Sequence, residues 1–213
     1  MFLTGCWDKL ELEERAFVYG VGIDLPEEQS SEKRITLTSQ LIVPENLVSV
    51  GGGSGSAYRN LTITGTTVND SNREMLKQTS RNTDVTHLRV ILFSEDVVKK
   101  PHAFKEFIDV FLREKDMRRG MEIAVTSGKA SDLLAVEPEH EKVPANYISQ
   151  MLKVKGNIGT IESIRIGDIQ EKVLQKESFS LPLLKKKNSK IIDYEGIAIY
   201  NGNKEVMVGE LKG

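Results

Sequence analysis

The sequence predicts an α+β fold, a mixed and largely antiparallel sheet carrying packed amphipathic helices, with the start of a second small domain at its end. Three observations predict it. Short apolar runs of strand length are interspersed with helical stripes, they follow no strict strand–helix–strand beat, and Asn201-Gly202 stands between two strand-like segments.

Residues 16–24 open the pattern as a strand, with Phe17, Tyr19, Val21 and Ile23 on one face and Gly20, Gly22 and Asp24 on the other. Lys33 to Val43 reads as a second strand, with Ile35, Leu37, Leu41 and Val43 on a shared side, and Pro44 ends it because proline donates nothing to a central ladder. The run Gly51-Gly52-Gly53-Ser54-Gly55-Ser56 is a flexible loop by composition, and the Thr-rich segment Tyr58 to Thr66 is a strand. Ser71-Asn72-Arg73-Glu74 fits a capping box, which predicts a helix starting there with Met75, Leu76 and Thr79 turned inward. Leu88 to Phe93 is an apolar strand. Pro101 suits a helical first turn, and Phe104, Phe107, Ile108, Phe111 and Leu112 follow at i, i+3, i+4, i+7 and i+8. Met121 to Val125 is a short strand. Pro144 opens a helix with Tyr147, Ile148, Met151 and Leu152 on one side, and another helix covers the region from Gly167 to Lys176. The Asn201-Gly202 pair predicts a type I′ hairpin turn, and the chain shows no internal repeat.

Composition narrows the function. With 39% hydrophobic and 28% charged residues and a net charge of −2, the chain has the balance of an ordinary globular domain and no global pull toward nucleic acid. No stretch approaches the ~20 apolar residues of a membrane span, so the chain as it stands is expected to be soluble. There is one cysteine, Cys6, which excludes an internal disulfide and any cysteine-built zinc site. Its setting, Leu3-Thr4-Gly5-Cys6, fits a bacterial lipobox, in which a leucine and two small residues precede a thiol that receives diacylglycerol. Only Met1 and Phe2 stand before it, so the charged and apolar parts of a leader are expected to have been trimmed. Residues 1–6 are accordingly expected to be the remnant of a lipoprotein signal. Two or three acyl chains there would hold the natural protein on a bilayer, with the adjoining Trp7 at the interface.

After the cysteine come Trp7-Asp8, Glu11-Leu12, and an apolar run ending Gly22-Ile23-Asp24. This opening resembles that of the Ger(x)C lipoproteins, the C subunits of spore germinant receptors. Phe107-Ile108-Asp109-Val110-Phe111-Leu112-Arg113, Arg118-Arg119 and Gly128-Lys129-Ala130 are similar to that family's middle segment. Gly196-Ile197-Ala198-Ile199-Tyr200 and Val208-Gly209-Glu210-Leu211 are similar to a later strand pair. The matches run through essentially the whole chain in order. The resemblance implies a non-enzymatic lipoprotein subunit, lipidated at Cys6 and without cofactor. It would sit on the outer face of the inner spore membrane with the membrane-embedded A and B subunits, and would be required for nutrient-triggered germination. Family members extend further, so residues 7–185 are expected to form the N-terminal α+β domain and 186–213 to begin a second, truncated one at Gly213.

Patterns that suggest chemistry fail on inspection. Thr126-Ser127-Gly128-Lys129-Ala130 lacks the earlier glycine of a phosphate loop, Ile123 standing there, and lacks the following Ser or Thr, so helix capping is the better account. Gly20-Val21-Gly22 has Leu25 where a dinucleotide fingerprint needs its third glycine, and a close backbone approach explains the pair better. Ser54 is followed by Ser56 rather than the closing glycine of a nucleophile elbow. His87, His102 and His140 form no helical metal pair, and Glu137, Glu139 and Glu141 read as a solvated loop. Lys185-Lys186-Lys187 with Lys190 could touch anionic headgroups but reads better as a solvated turn. A lipid-tethered solute-binding protein that captures the germinant directly is the alternative function, and a cell-wall enzyme is a third.

Overall fold

The computed structural model describes residues 15–27, 34–47, 55–79, 81–113, 117–157 and 164–212. Its strands are β1 (Arg15–Asp24), β2 (Ile35–Ile42), β3 (Tyr58–Gly65), β4 (Asn82–Asp84), β5 (Val90–Ser94), β6 (Glu122–Thr126), β7 (Phe179–Lys186), β8 (Ile192–Asn201) and β9 (Val206–Lys212). Its helices are α1 (Pro44–Leu47), α2 (Val68–Gln78), α3 (Glu95–Val98), α4 (Ala103–Arg113), α5 (Ala130–Leu134), α6 (Pro144–Asn157) and α7 (Ile166–Leu174).

All nine strands belong to one sheet, in the order β3-β2-β1-β5-β6-β7-β8-β9, with β4 paired to β1. The α+β expectation holds, and the sheet is mixed and, by the residues it pairs, largely antiparallel. Antiparallel pairs form the two wings, β1 with β2, β2 with β3, β7 with β8, and β8 with β9. The centre is parallel, from β4 and β1 through β5 and β6 to β7. Parallel neighbours need long crossovers, supplied by α3 and α4 between β5 and β6 and by α5 to α7 between β6 and β7. Central parallel strands are covered on both faces, which explains why Val90 to Phe93 and Ile123 to Val125 are unbroken apolar runs. Beyond residue 185, β8 and β9 continue the same sheet outward from β7.

Two buried clusters lie on the two faces. One joins Ile23, Ile91, Phe93 and Ile123 to α2, α4 and α7, and within it the rings of Phe93 and Phe104, and of Phe104 and Tyr200, stand 5.0 Å apart. The other joins Val90, Leu92 and Ala124 to α5 and α6 through Leu134, Ala145 and Ile148.

Several local expectations shift for identifiable reasons. A bulge between Val18 and Gly20 turns β1 over, so Val18 joins Val21 and Ile23 while Phe17 and Tyr19 pack on the opposite face. Simple alternation cannot anticipate an inserted residue. Helix α2 starts earlier than expected, because the Thr67 hydroxyl accepts the Asp70 N–H at 3.1 Å and Ser71 is already inside the helix. Its buried stripe is Val68, Ser71 and Met75, while Leu76 faces solvent and Thr79 is the C-cap. The α4 stripe is as expected at Phe104, Phe107, Ile108 and Phe111, although Pro101 sits in the turn before the helix. Asn201 pairs with Val206, so the hairpin has a four-residue connection instead of a two-residue type I′ turn. Asn201 Oδ1 accepts the Lys204 N–H at 2.9 Å, and the left-handed backbone falls on Glu205 (φ 53°). Gly202 serves a close approach instead, since a Cβ there would stand 2.2 Å from the Lys176 carbonyl oxygen. Within the Gly-rich loop, residues 51–54 lie outside the described residues, and with them Ser54.

Candidate functional site

The most concentrated polar construction in the interior begins at Asp24, the last residue of β1, which is 3% exposed. Helix α5 has only five residues, too few to persist on its own, and its N-cap residue Lys129 supplies no side-chain cap. The Asp24 carboxylate takes that role from 106 positions away, accepting the Ala130 N–H at 2.6 Å and the Ser131 N–H at 3.0 Å. At the other end of α5, the Leu134 carbonyl accepts from Gln40 Nε2 at 2.7 Å and from Asn60 Nδ2 at 2.8 Å. Gln40 Oε1 then accepts the Ala145 N–H at 2.8 Å, in the first turn of α6. Three strands thereby satisfy both ends of one helix and the start of the next.

This closeness depends on small residues. A Cβ on Gly20 would stand 2.6 Å from that of Ala145, and one on Gly22 would stand 3.1 Å from that of Ala130. The expected close approach at Gly20-Val21-Gly22 is therefore present, with α5 and α6 as the approaching elements. The Thr126 to Ala130 segment leads from β6 into α5, where Ala130 is fully buried. Burial pushes the Asp24 carboxyl above its ordinary value of 3.8, against the opposing pull of the Ala130 and Ser131 N–H groups. Both carboxylate oxygens face backbone donors, so this group positions helices.

A second polar cluster ties α3 and β6 to β8 and β9. The Ser127 hydroxyl, with one proton to give, reaches Glu195 and lies 3.0 Å from Glu95. Lys212 approaches Glu195 at 3.2 Å and Glu210 at 3.3 Å, and Lys185 approaches Glu195 at 3.5 Å. The Ser127 hydrogen bond, together with these lysines, holds Glu195 below the usual carboxylate range. Positive and negative groups alternate, which favours a cross-strand clasp over a site for a bare ion.

The residues singled out in the sequence are scattered across the molecule. Cys6 and Trp7 lie outside the described residues. Of the basic run, Lys185, Lys187 and Lys190 pair with Glu195, Asp193 and Glu139, the last two at 3.0 and 2.9 Å. Glu141 accepts from Asn146 Nδ2 at 2.7 Å. His87 packs edge-on against Phe17, His102 Nδ1 meets Glu205 at 2.6 Å, and His140 sits in the loop before α6. Among the described residues, no three or more His, Cys, Asp or Glu side chains gather closely enough for a metal ion. The polar role of Gln40 and Asn60 was invisible to sequence reasoning, because both lie in strand patterns and their partners are on distant helices.

Comparison with known proteins places these elements in a lineage. The family described as "Spore germination protein N-terminal domain" matches residues 8–186. Spore germination protein A3 of Bacillus subtilis is 30% identical, with all of this chain aligned to 61% of that protein. Spore germination protein YndF of the same organism is 28% identical, with 98% of this chain aligned to 56% of it. The chain thus spans about three-fifths of the length of these relatives. The crystal structure of the GerBC protein aligns with 92% of this chain and 53% of its own at 20% identity, with a TM-score of 0.46. The chain belongs to the Ger(x)C family of spore germination proteins and carries its N-terminal domain.

Proposed function

We propose that this chain is the N-terminal portion of a non-enzymatic lipoprotein subunit of a spore germinant receptor. The family match over residues 8–186 carries this reading, supported by relatives named as spore germination proteins. The lipobox supports anchoring by diacylglycerol on Cys6, and the family resemblance supports a place on the outer face of the inner spore membrane beside membrane-embedded A and B subunits. Among the described residues no helix is long and apolar enough to cross a membrane, and such a subunit would rely on its lipid. Residues 7–185 form the N-terminal domain in this reading, and 186–213 open a second domain whose first strands add to the same sheet. The subunit acts by binding and conformational relay, a role consistent with a buried carboxylate already committed to helix ends.

Labelled palmitate should enter the full-length protein in its native host and not its Cys6→Ala variant. Crosslinking in spore membranes should then recover integral membrane receptor subunits with the wild type. Equal labelling of both proteins, or of neither, would remove the anchor from the proposal. A second reading, capture of a small solute, is favoured by a cavity on the face of the sheet opposite Asp24.

A further inference from the structure

Among the described residues, the face of the sheet under α2 and α4 is incompletely filled near β4. A cavity of about 450 Å³ opens there, within the range of small-molecule sites. Its floor is apolar and buried, formed by Val18, Val21, Leu37 and Phe111. The bulge in β1 contributes to this floor, since it turns Val18 onto the same face as Val21.

The mouth is different in kind. Arg15 and Asp84 meet diagonally across the β1–β4 pair, where Arg15 is opposite Asn82 and Asp84 opposite Phe17, and Arg15 Nη1 donates to Asp84 Oδ2 at 2.9 Å. The Asp84 side chain is 9% exposed and that of Arg15 is 38% exposed. Thr86 occupies the other carboxylate oxygen, donating through its backbone N–H at 2.9 Å and through its hydroxyl. Asp84 Oδ2 therefore retains acceptor capacity. Among the described residues, Arg15 places one of its five N–H donors on Asp84. The exposed carboxamides of Asn69, Asn72 and Asn82 complete the rim, and none makes a side-chain hydrogen bond within the described residues.

An opposite-charge pair beside an apolar floor matches one ligand chemistry best. A sugar would leave its hydroxyls unsatisfied against Val21, Leu37 and Phe111, and a simple anion would gain nothing from the floor. We propose that this cavity binds an α-amino acid with a large apolar side chain. The ligand carboxylate meets the spare Arg15 donors, its ammonium meets Asp84 Oδ2 and the rim carboxamide oxygens, and its side chain covers the floor. The inference rests on the solute-capture reading and is independent of the lipid anchor and receptor partners.

The test is calorimetry and methyl NMR on the 213-residue chain, with L-leucine and L-phenylalanine as probes and leucinamide and D-glucose as comparators. Met117 lines the cavity, whereas Met151 packs on the opposite face. Leucine should therefore shift the Met117 methyl resonance and leave Met151 unmoved. Leucinamide, lacking the carboxylate, and the Arg15→Gln variant should each weaken binding about tenfold or more. Val110→Trp should fill the cavity and abolish binding, with its melting temperature reporting whether the fold survives. The wild-type methyl shifts decide the matter even if both variants unfold. No Met117 shift with about 10 mM leucine or phenylalanine would overturn the proposal, this being a concentration that reveals even millimolar affinity. An equal response to glucose, or leucinamide binding as tightly as leucine, would overturn it as well. None of these outcomes bears on palmitate labelling of Cys6, so the two readings fail separately.

Discussion

On one face of the sheet, α5 and α6 press alanines onto the glycines of β1 and have their ends capped by strand side chains. On the other face, α2, α4 and α7 meet the strands through long aliphatic and aromatic side chains, and a cavity remains beside β4. The first face gains its cohesion from close backbone approach and capped helix ends, which tolerate little displacement. The second gains it from apolar area, which can be large while the fit is locally imperfect. A protein with one rigid and one accommodating face can keep its helices in place and still admit a guest.

The largest expected effect comes from the accommodating face. Phe104 is fully buried and its ring meets those of Phe93, Phe179 and Tyr200. Phe104→Ala should cost about 3–5 kcal/mol of unfolding free energy, read by urea denaturation. The rigid face is tested next by Gly20→Ala, which should cost about 1–3 kcal/mol because Ala145 has no flexible end to move aside. Gly120, where an added Cβ meets nothing within 4 Å, is the matched control, and Gly120→Ala should change stability by no more than about 0.5 kcal/mol. If the two substitutions cost the same, close approach is not what distinguishes that face.

The smallest effect is a pH dependence. Because the Asp24 carboxyl is raised in the folded protein, its contribution is fully present below its ordinary value of 3.8 and is lost as pH rises through the folded value. The stability advantage of wild type over Asp24→Asn should therefore be greatest in acid and shrink toward neutrality. Urea midpoints measured for both proteins across that range provide the check. Carboxylates held low, such as Glu195, titrate in both proteins and cancel in the difference.

What could be read beforehand divides along physical lines. The α4 stripe was legible because Phe104, Phe107, Ile108 and Phe111 obey one helical period against one core. The runs at Val90 to Phe93 and Ile123 to Val125 announced burial, yet their parallel pairing depended on where intervening helices fold back. The Gly20-Val21-Gly22 close approach was inferred from glycines within a strand, but its partners, Ala130 and Ala145, are more than 100 positions away. The bulge at Val18 and Gly20, the Thr67 cap in place of Ser71, and the longer hairpin connection are choices among local geometries of similar energy, and tertiary packing made them. The Arg15–Asp84 pair at the cavity mouth escaped notice because β4 has only three residues and no apolar pattern.

The capping of α5 by Asp24 has a further consequence during synthesis. At ribosomal rates of about 5–20 residues per second, the 106 positions between Asp24 and Ala130 take on the order of 5–20 s to emerge. Through that interval β1 and β2 exist as chain while Asp24 and Gln40 have no helix ends to serve. The nascent N-terminal half must keep both side chains hydrated, and their burial waits on the arrival of the second half.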